Sequence, residues 1–194
     1  MLSIPMIITK DVQRRVKLDY FFVKGKLEID SNYFIQKIKD SVTSNNNMNY
    51  RTNIKGKMTP YNFFVQDKKF IELVTPLIDY VDEIQEFQNY HLANAWGYEL
   101  GHREKTIFHD HFNSLWSGAI YLNNCNQPLK FPQINEEVLP EEGSFVIFSG
   151  FLNHGCEKNN DTSKFGMSFN FDMNFISWYI LIHPNIIVYK EPRK

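Results

Sequence analysis

From Tyr90 to Met173 the chain is a succession of short runs rich in Tyr, Phe, Ile and Leu, separated by turn residues. This spacing constrains the fold more than any other feature, because short strands at turn-bounded intervals close into a sandwich or barrel. Strands are expected around 90–99, 106–111, 116–123, 128–131, 144–149, 153–157 and 164–173. One of them, Lys164-Phe165-Gly166-Met167-Ser168-Phe169-Asn170-Phe171, is apolar at every odd position and small or polar at every even one. Side chains alternate faces along a strand. Phe165, Met167, Phe169 and Phe171 should therefore pack beneath the sheet, leaving Lys164, Ser168 and Asn170 to face either water or a polar barrel mouth.

Upstream of Tyr90 the periodicity changes. A helix is expected from about Asn32 to Ser44, capped by Ser31, with Phe34, Ile35, Ile38 and Val42 as its buried stripe. A second is expected from about Lys68 to Glu86, with Phe70, Val74, Leu77, Ile78, Val81 and Ile84 on one face. Thr75-Pro76 reads as an N-cap and first helical residue, which predicts a kink or two abutting helices. Before these, Leu18–Val23 and Lys26–Ile29 read as strands around a Lys24-Gly25 turn, and Asn45-Asn46-Asn47 reads as a polar loop. Helices followed by a run of strands suggest a mainly β fold: a jelly-roll or double-stranded β-helix with two N-terminal helices packed outside. The 194 residues are enough for a single domain. Its parts would be strands and supporting helices over 1–89, the β-helix core over 90–173 and a C-terminal extension over 174–194.

Charge is nearly balanced, 21 Lys and Arg against 22 Asp and Glu, so no nucleic-acid partner is expected. With only Cys125 and Cys156, the chain has neither a disulfide framework nor a zinc knuckle, which points to a reduced, cytoplasmic protein. The N-terminus lacks the basic and apolar regions of a signal peptide. The apolar stretch Ile176–Ile182 is too short to span a bilayer, so no membrane association is expected. That stretch is covered either by its own domain or by a second copy, which leaves monomer and homodimer open.

The chemistry concentrates in Thr106-Ile107-Phe108-His109-Asp110-His111-Phe112. In an extended strand His109 and His111 point to one face and Asp110 to the other. Two imidazoles on one face make half of a metal site, and His154, after a glycine-containing strand, is the distant third ligand. Imidazole suits iron, zinc, copper and nickel. A bulge could instead rotate Asp110 inward, and His102-Arg103-Glu104 is a rival pair in which Glu104 brings a carboxylate. His91 and His183 lie in apolar stretches without partners and read as structural.

At this point the segment from about 90 to 173 resembles the 2-oxoglutarate- and iron(II)-dependent oxygenases, in particular their prolyl-hydroxylase-like branch and small bacterial and viral members. Four features carry the resemblance: His109-Asp110-His111 where the family has H-x-D, the Tyr121-Leu122-Asn123 strand signature, Gly143–Phe148 ahead of His154, and Lys164 ten residues beyond it. The resemblance implies iron(II) held by His109 and His154, with His111 standing where the family usually has Asp. It implies 2-oxoglutarate as cosubstrate, its distal carboxylate paired with Lys164 and hydrogen-bonded by Tyr121, with Ser117 and Ser168 assisting. A buried carboxylate needs such a charge partner and donors. Family members often carry Arg-x-Ser at the cosubstrate position, where this chain has Lys164 and Gly166. The implied reaction couples decarboxylation of 2-oxoglutarate by dioxygen to hydroxylation of a small-molecule or peptide substrate, at a prolyl or other amino-acid side chain. Separately, Trp116 and Asn123 are expected on the substrate side. Two rivals accompany this reading. One is a cupin-like three-His iron dioxygenase that uses no 2-oxoglutarate. The other is a non-catalytic jelly-roll binding module.

Overall fold

The computed structural model describes residues 19–44, 52–84 and 90–173. The readings made on residues 1–18, on Asn45–Asn47, on the end of the second helix, on the apolar stretch after Met173 and on His183 lie outside them.

Two antiparallel sheets face each other. Strand β1 is Phe22–Lys26, β2 Ile54–Lys55, β3 Lys57–Met58, β4 Tyr90–Leu100, β5 Lys105–His109 and β6 Trp116–Tyr121. Strand β7 is Leu129–Phe131, β8 Glu136–Val138, β9 Ser144–Ser149, β10 His154–Cys156 and β11 Lys164–Met173. The larger sheet has the order β1-β9-β6-β11-β4-β3 and the smaller the order β2-β5-β10-β7-β8. Helices α1, Ser31–Ser44, and α2, Lys68–Ile84, cover the outer face of the larger sheet. The architecture is thus mainly β with two helices, broadly the jelly-roll expected.

The alternation in β11 explains the layering. Phe165, Met167, Phe169 and Phe171 join Phe34, Ile38, Phe70, Val74 and Leu77 in the core between sheet and helices. A second core lies between the sheets, where Tyr121, Val146 and Phe148 meet Leu129, Phe131 and Val138. Close approach of α1 to β4 requires Gly97, since a Cβ there would come within 2.3 Å of the Ile38 side chain.

Three local expectations are corrected. No hairpin forms at Lys24-Gly25: β1 runs straight through it, with Gly25 directly opposite Phe145 on β9. The Phe145 ring occupies the space a Gly25 side chain would fill, so this glycine serves packing across an edge pair and not a turn. The cap of α1 is Asp30, whose carboxylate accepts from the Tyr33 amide, while the buried Ser31 hydroxyl has no partner among the described residues. Helix α2 is continuous through Pro76, and its cap is Asp67, which accepts from the Phe70 amide. Inside it the Thr75 hydroxyl donates to the Ile71 carbonyl one turn back, a side-chain bond within a helix rather than an N-cap. Strand β8 went unread because Glu136 and Glu137 are exposed and only Val138 is buried. It returns against β7 through a turn in which Asn135 takes a left-handed conformation, φ 54°.

Gly97→Ala should cost about 1–3 kcal/mol, because overpacking a tight core forces side chains off their rotamers. At roughly 2–4 °C per kcal/mol for a chain of this size, calorimetry should show the thermal midpoint falling by several degrees.

Candidate metal centre

The smaller sheet builds the site. Strands β5 and β10 pair antiparallel with His109 directly opposite His154. His111 lies just past the end of β5, where its amide donates to the Gly150 carbonyl and its own carbonyl accepts from the Ser114 amide. The three rings converge, with centroids 4.8 Å apart for His109 and His111, 4.5 Å for His109 and His154, and 5.1 Å for His111 and His154. One ring nitrogen from each lies within 4.8 Å of the others. Small side-chain rotations would bring all three to the ~2.0–2.1 Å that imidazole keeps from a shared ion.

Second contacts set the tautomers. The Nδ1 of His109 is 2.7 Å from the Ile107 carbonyl and that of His154 is 2.9 Å from the Leu152 carbonyl. A carbonyl only accepts, so each Nδ1 carries the proton and each Nε2 keeps its lone pair for a metal. Burial lowers the pKa of His109. Burial together with the neighbouring His109 pulls His111 down to about 4 and His154 to about 3. At neutral pH the site therefore offers three uncharged imidazoles, a donor set that fits a divalent transition metal.

The rival carboxylates are elsewhere. Asp110 is exposed, accepts from the Phe112 amide and does not line the pocket of its two histidine neighbours. The Glu104 carboxylate accepts from the Gly101 amide 2.6 Å away and closes a turn. His91 and His102 are exposed.

The histidines share one pocket with side chains from the inner face of the larger sheet: Trp96 and Tyr98 from β4, Ser117 from β6, and Lys164, Ser168 and Asn170 from β11. Lys164 is 1 % exposed. Its ammonium donates to the Gln127 carbonyl at 3.2 Å and to the Cys156 thiol at 3.5 Å, and lies 5.9 Å from the centre of the Tyr121 ring. It meets no carboxylate among the described residues. Burial lowers its pKa, and an ammonium so placed has lost its hydration without gaining a counter-charge. The Ser117 hydroxyl donates to the Asn170 side-chain carbonyl at 2.8 Å.

Among the residues expected at the site, the structure brings together His109, His111, His154, Lys164, Ser117 and Ser168, with Tyr121 buried beneath the Lys164 ammonium. Trp116 and Asn123 are not in the pocket. Trp116 projects to the helix side, against Phe21, Tyr90 and Phe171. Asn123 is occupied as a clasp past the end of β6, its amide donating to the Ser163 carbonyl and its oxygen accepting from the Phe165 amide. Trp96 and Tyr98 were not anticipated. Strand alternation does put them on one face, but only the pairing of β4 with β11 shows which face that is.

No protein-family model matches the sequence, and no curated protein matches it. Solved structures do match. A viral collagen prolyl hydroxylase from Paramecium bursaria Chlorella virus-1, in complex with 2-oxoglutarate, is 12 % identical with a TM-score of 0.59 over 80 % of this chain and 96 % of its own. A Pseudomonas putida prolyl-4-hydroxylase is 10 % identical with a TM-score of 0.63 over 79 % and 92 %. HygX from Streptomyces hygroscopicus, with nickel and 2-oxoglutarate bound, is 10 % identical with a TM-score of 0.56 over 80 % and 83 %. The chain shares its fold with these solved enzymes.

Two titrations follow from this geometry. Because the fold binds the Lys164 proton less tightly than the unfolded chain does, its cost is full below the folded pKa and fades as pH rises toward the ordinary 10.5. Lys164→Met should therefore raise the thermal midpoint at pH 7, by an amount that shrinks as pH rises through the alkaline range. The unfolded chain takes up histidine protons near pH ~6.5, whereas His111 and His154 resist until about 4 and about 3. Stability of the metal-free protein should accordingly fall as pH drops below ~6.5, and chemical denaturation of His154→Asn should show a shallower fall.

Proposed function

We propose that the chain is a single-domain 2-oxoglutarate- and iron(II)-dependent dioxygenase on a double-stranded β-helix, and that it hydroxylates an amino-acid or peptide substrate. One oxygen atom of dioxygen would enter the substrate C–H bond and the other the succinate formed as 2-oxoglutarate loses carbon dioxide. The observation that carries this reading is the buried ammonium of Lys164, which meets no carboxylate among the described residues, in the same pocket as the three histidines. A dicarboxylate that reaches both gives Lys164 the counter-charge it lacks and replaces a desolvation penalty with a charge-assisted hydrogen bond.

His109, His111 and His154 would hold the iron, leaving positions for the cosubstrate and dioxygen on the pocket side. When bound, iron supplies the activation of dioxygen. The chain's own part is binding, orientation and exclusion of water. Lys164 takes the distal carboxylate, and Tyr121, whose ring lies beneath the Lys164 ammonium, is the donor beside it. Ser168 lines the wall between, and Ser117 fixes the Asn170 amide through its 2.8 Å bond. The fold likeness to enzymes solved with 2-oxoglutarate and with iron or nickel supports the same assignment. The two reduced, buried cysteines suit a reducing compartment.

A second reading has one observation in its favour. Among the described residues the three-histidine group contains no carboxylate, as in a cupin-like three-His dioxygenase that does without 2-oxoglutarate. Lys164 separates the two, since that chemistry has no dicarboxylate to hold.

Anaerobic titration of the iron(II)-loaded protein with 2-oxoglutarate should develop the visible charge-transfer band of the chelate. Lys164→Ala should weaken 2-oxoglutarate binding by ~100-fold, the scale of a buried hydrogen-bonded charge pair left half-made, and His111→Ala should abolish the band. Iron binding without a band would select the three-His alternative. Absence of metal binding would leave a binding module.

A further inference from the structure

The pocket that holds the histidines is short of negative charge. None of its lining residues is an Asp or a Glu, and Lys164 is the one ionised side chain among them. The three ligands are neutral. With the reading above in place, a divalent metal and Lys164 bring three positive charges, and doubly charged 2-oxoglutarate answers two of them. One positive charge stays unmatched in a site whose walls, the buried Trp96, Leu129 and Phe148, exclude water. In such surroundings an unmatched charge attracts a counter-ion far more strongly than it would in solvent. A carboxylate ligand at position 111 would have closed this account from within the protein, and His111 does not.

The wall next to His111 is built to receive an anion. The Trp96 ring lies 6.3 Å from the His111 ring, measured between centroids. Trp96 is 5 % exposed, and its indole N–H is a buried donor without an acceptor among the described residues. An indole nitrogen can only donate, so it calls for an oxygen or another acceptor. Across the sheet, Ser168 on β11 is paired directly with Trp96, and Asn170 lies two residues further along the same face, held by the Ser117 hydroxyl. These are neutral donors beside an uncompensated positive centre, an arrangement suited to a carboxylate and not to a second cation or an apolar group.

We infer that the second substrate is an acid: a carboxylate, or an equivalent monoanionic group, seats beside His111 against the Trp96 indole N–H and supplies the negative charge that the three-histidine centre lacks. This inference rests on the 2-oxoglutarate reading and narrows its substrate to molecules that carry a negative charge close to the carbon being oxidised. Trp96 acts there as a specificity-determining residue, and His111 as the residue whose neutrality makes room for the substrate's charge.

The test uses the full chain loaded anaerobically with iron(II) and 2-oxoglutarate in chloride-free buffer. Acetate serves as the anionic probe and acetamide as its neutral counterpart of equal shape. Acetate should perturb the charge-transfer band in a saturable way, with an affinity at least tenfold above that of acetamide. Trp96→Phe, which keeps the ring and removes the N–H, should lower acetate affinity at least fivefold. His111→Asp, which restores the missing charge from the protein side, should reduce the preference for acetate over acetamide to near unity. A band that forms normally but responds to acetate and acetamide alike overturns the inference and leaves the 2-oxoglutarate reading standing. Failure of the band to form overturns both. Should His111→Asp bind no iron, the comparison of acetate with acetamide in the wild-type protein and in Trp96→Phe decides the matter alone.

Discussion

The pairing of β5 with β10 is the contact on which the site depends. It sets His109 opposite His154, and a one-residue slip of either strand would send one imidazole to the far face of the sheet. Two glycines make the geometry possible. A side chain at Gly155 would press against the Phe108 backbone at 2.9 Å, blocking the close approach of the two strands. A side chain at Gly150 would meet the Ser114 carbonyl at 2.2 Å and the His111 carbonyl at 2.7 Å, in the turn that ties the His111 amide to Gly150. The third ligand is thus placed by backbone contacts and not by its own strand, since β5 ends two residues earlier.

The larger sheet divides its labour by strand parity. Its outer face is aromatic and aliphatic and is covered by two helices, which accounts for most of the apolar burial. Its inner face carries Trp96, Ser117, Lys164, Ser168 and Asn170 toward the histidines. Burying these polar groups costs free energy that the helix-covered face must offset. A lysine that meets no carboxylate among the described residues fits a pocket proposed to take an anion.

Much of this was legible from alternation alone. The period of two in Lys164–Phe171 separated core from pocket, whereas His111 reached the same site as His109 through the turn that follows β5 and not through alternation within it. Alternation also argued against Trp116, which shares parity with Gly118 and Ile120, the side opposite Ser117 and Tyr121. Placing Trp116 near the substrate went against the rule that succeeded around it. Asn123 has the right parity, but β6 ends at Tyr121, and past a strand end alternation predicts nothing. Lys24-Gly25 looked like a turn because a glycine before a charged residue usually is one, whereas its reason was the Phe145 ring on a strand 120 residues away in sequence. Trp96 and Tyr98 were hidden for a related reason: parity pairs residues on a face without saying which face is inward, and that is decided by strand pairing.

Replacing a carboxylate by an imidazole changes more than the ligand list. A carboxylate ligand lowers the positive charge of the centre permanently, whether or not anything else is bound. A neutral ligand leaves that charge to be answered by whatever enters the pocket. On the proposed reading, a metal at the histidines and Lys164 would repel one another across a low-dielectric interior until a dianion reached both, so each should bind the dianion better when the other is present and charged. On that reading the three histidines and Lys164 would act as one electrostatic device, stabilised by negative charge carried in by small molecules.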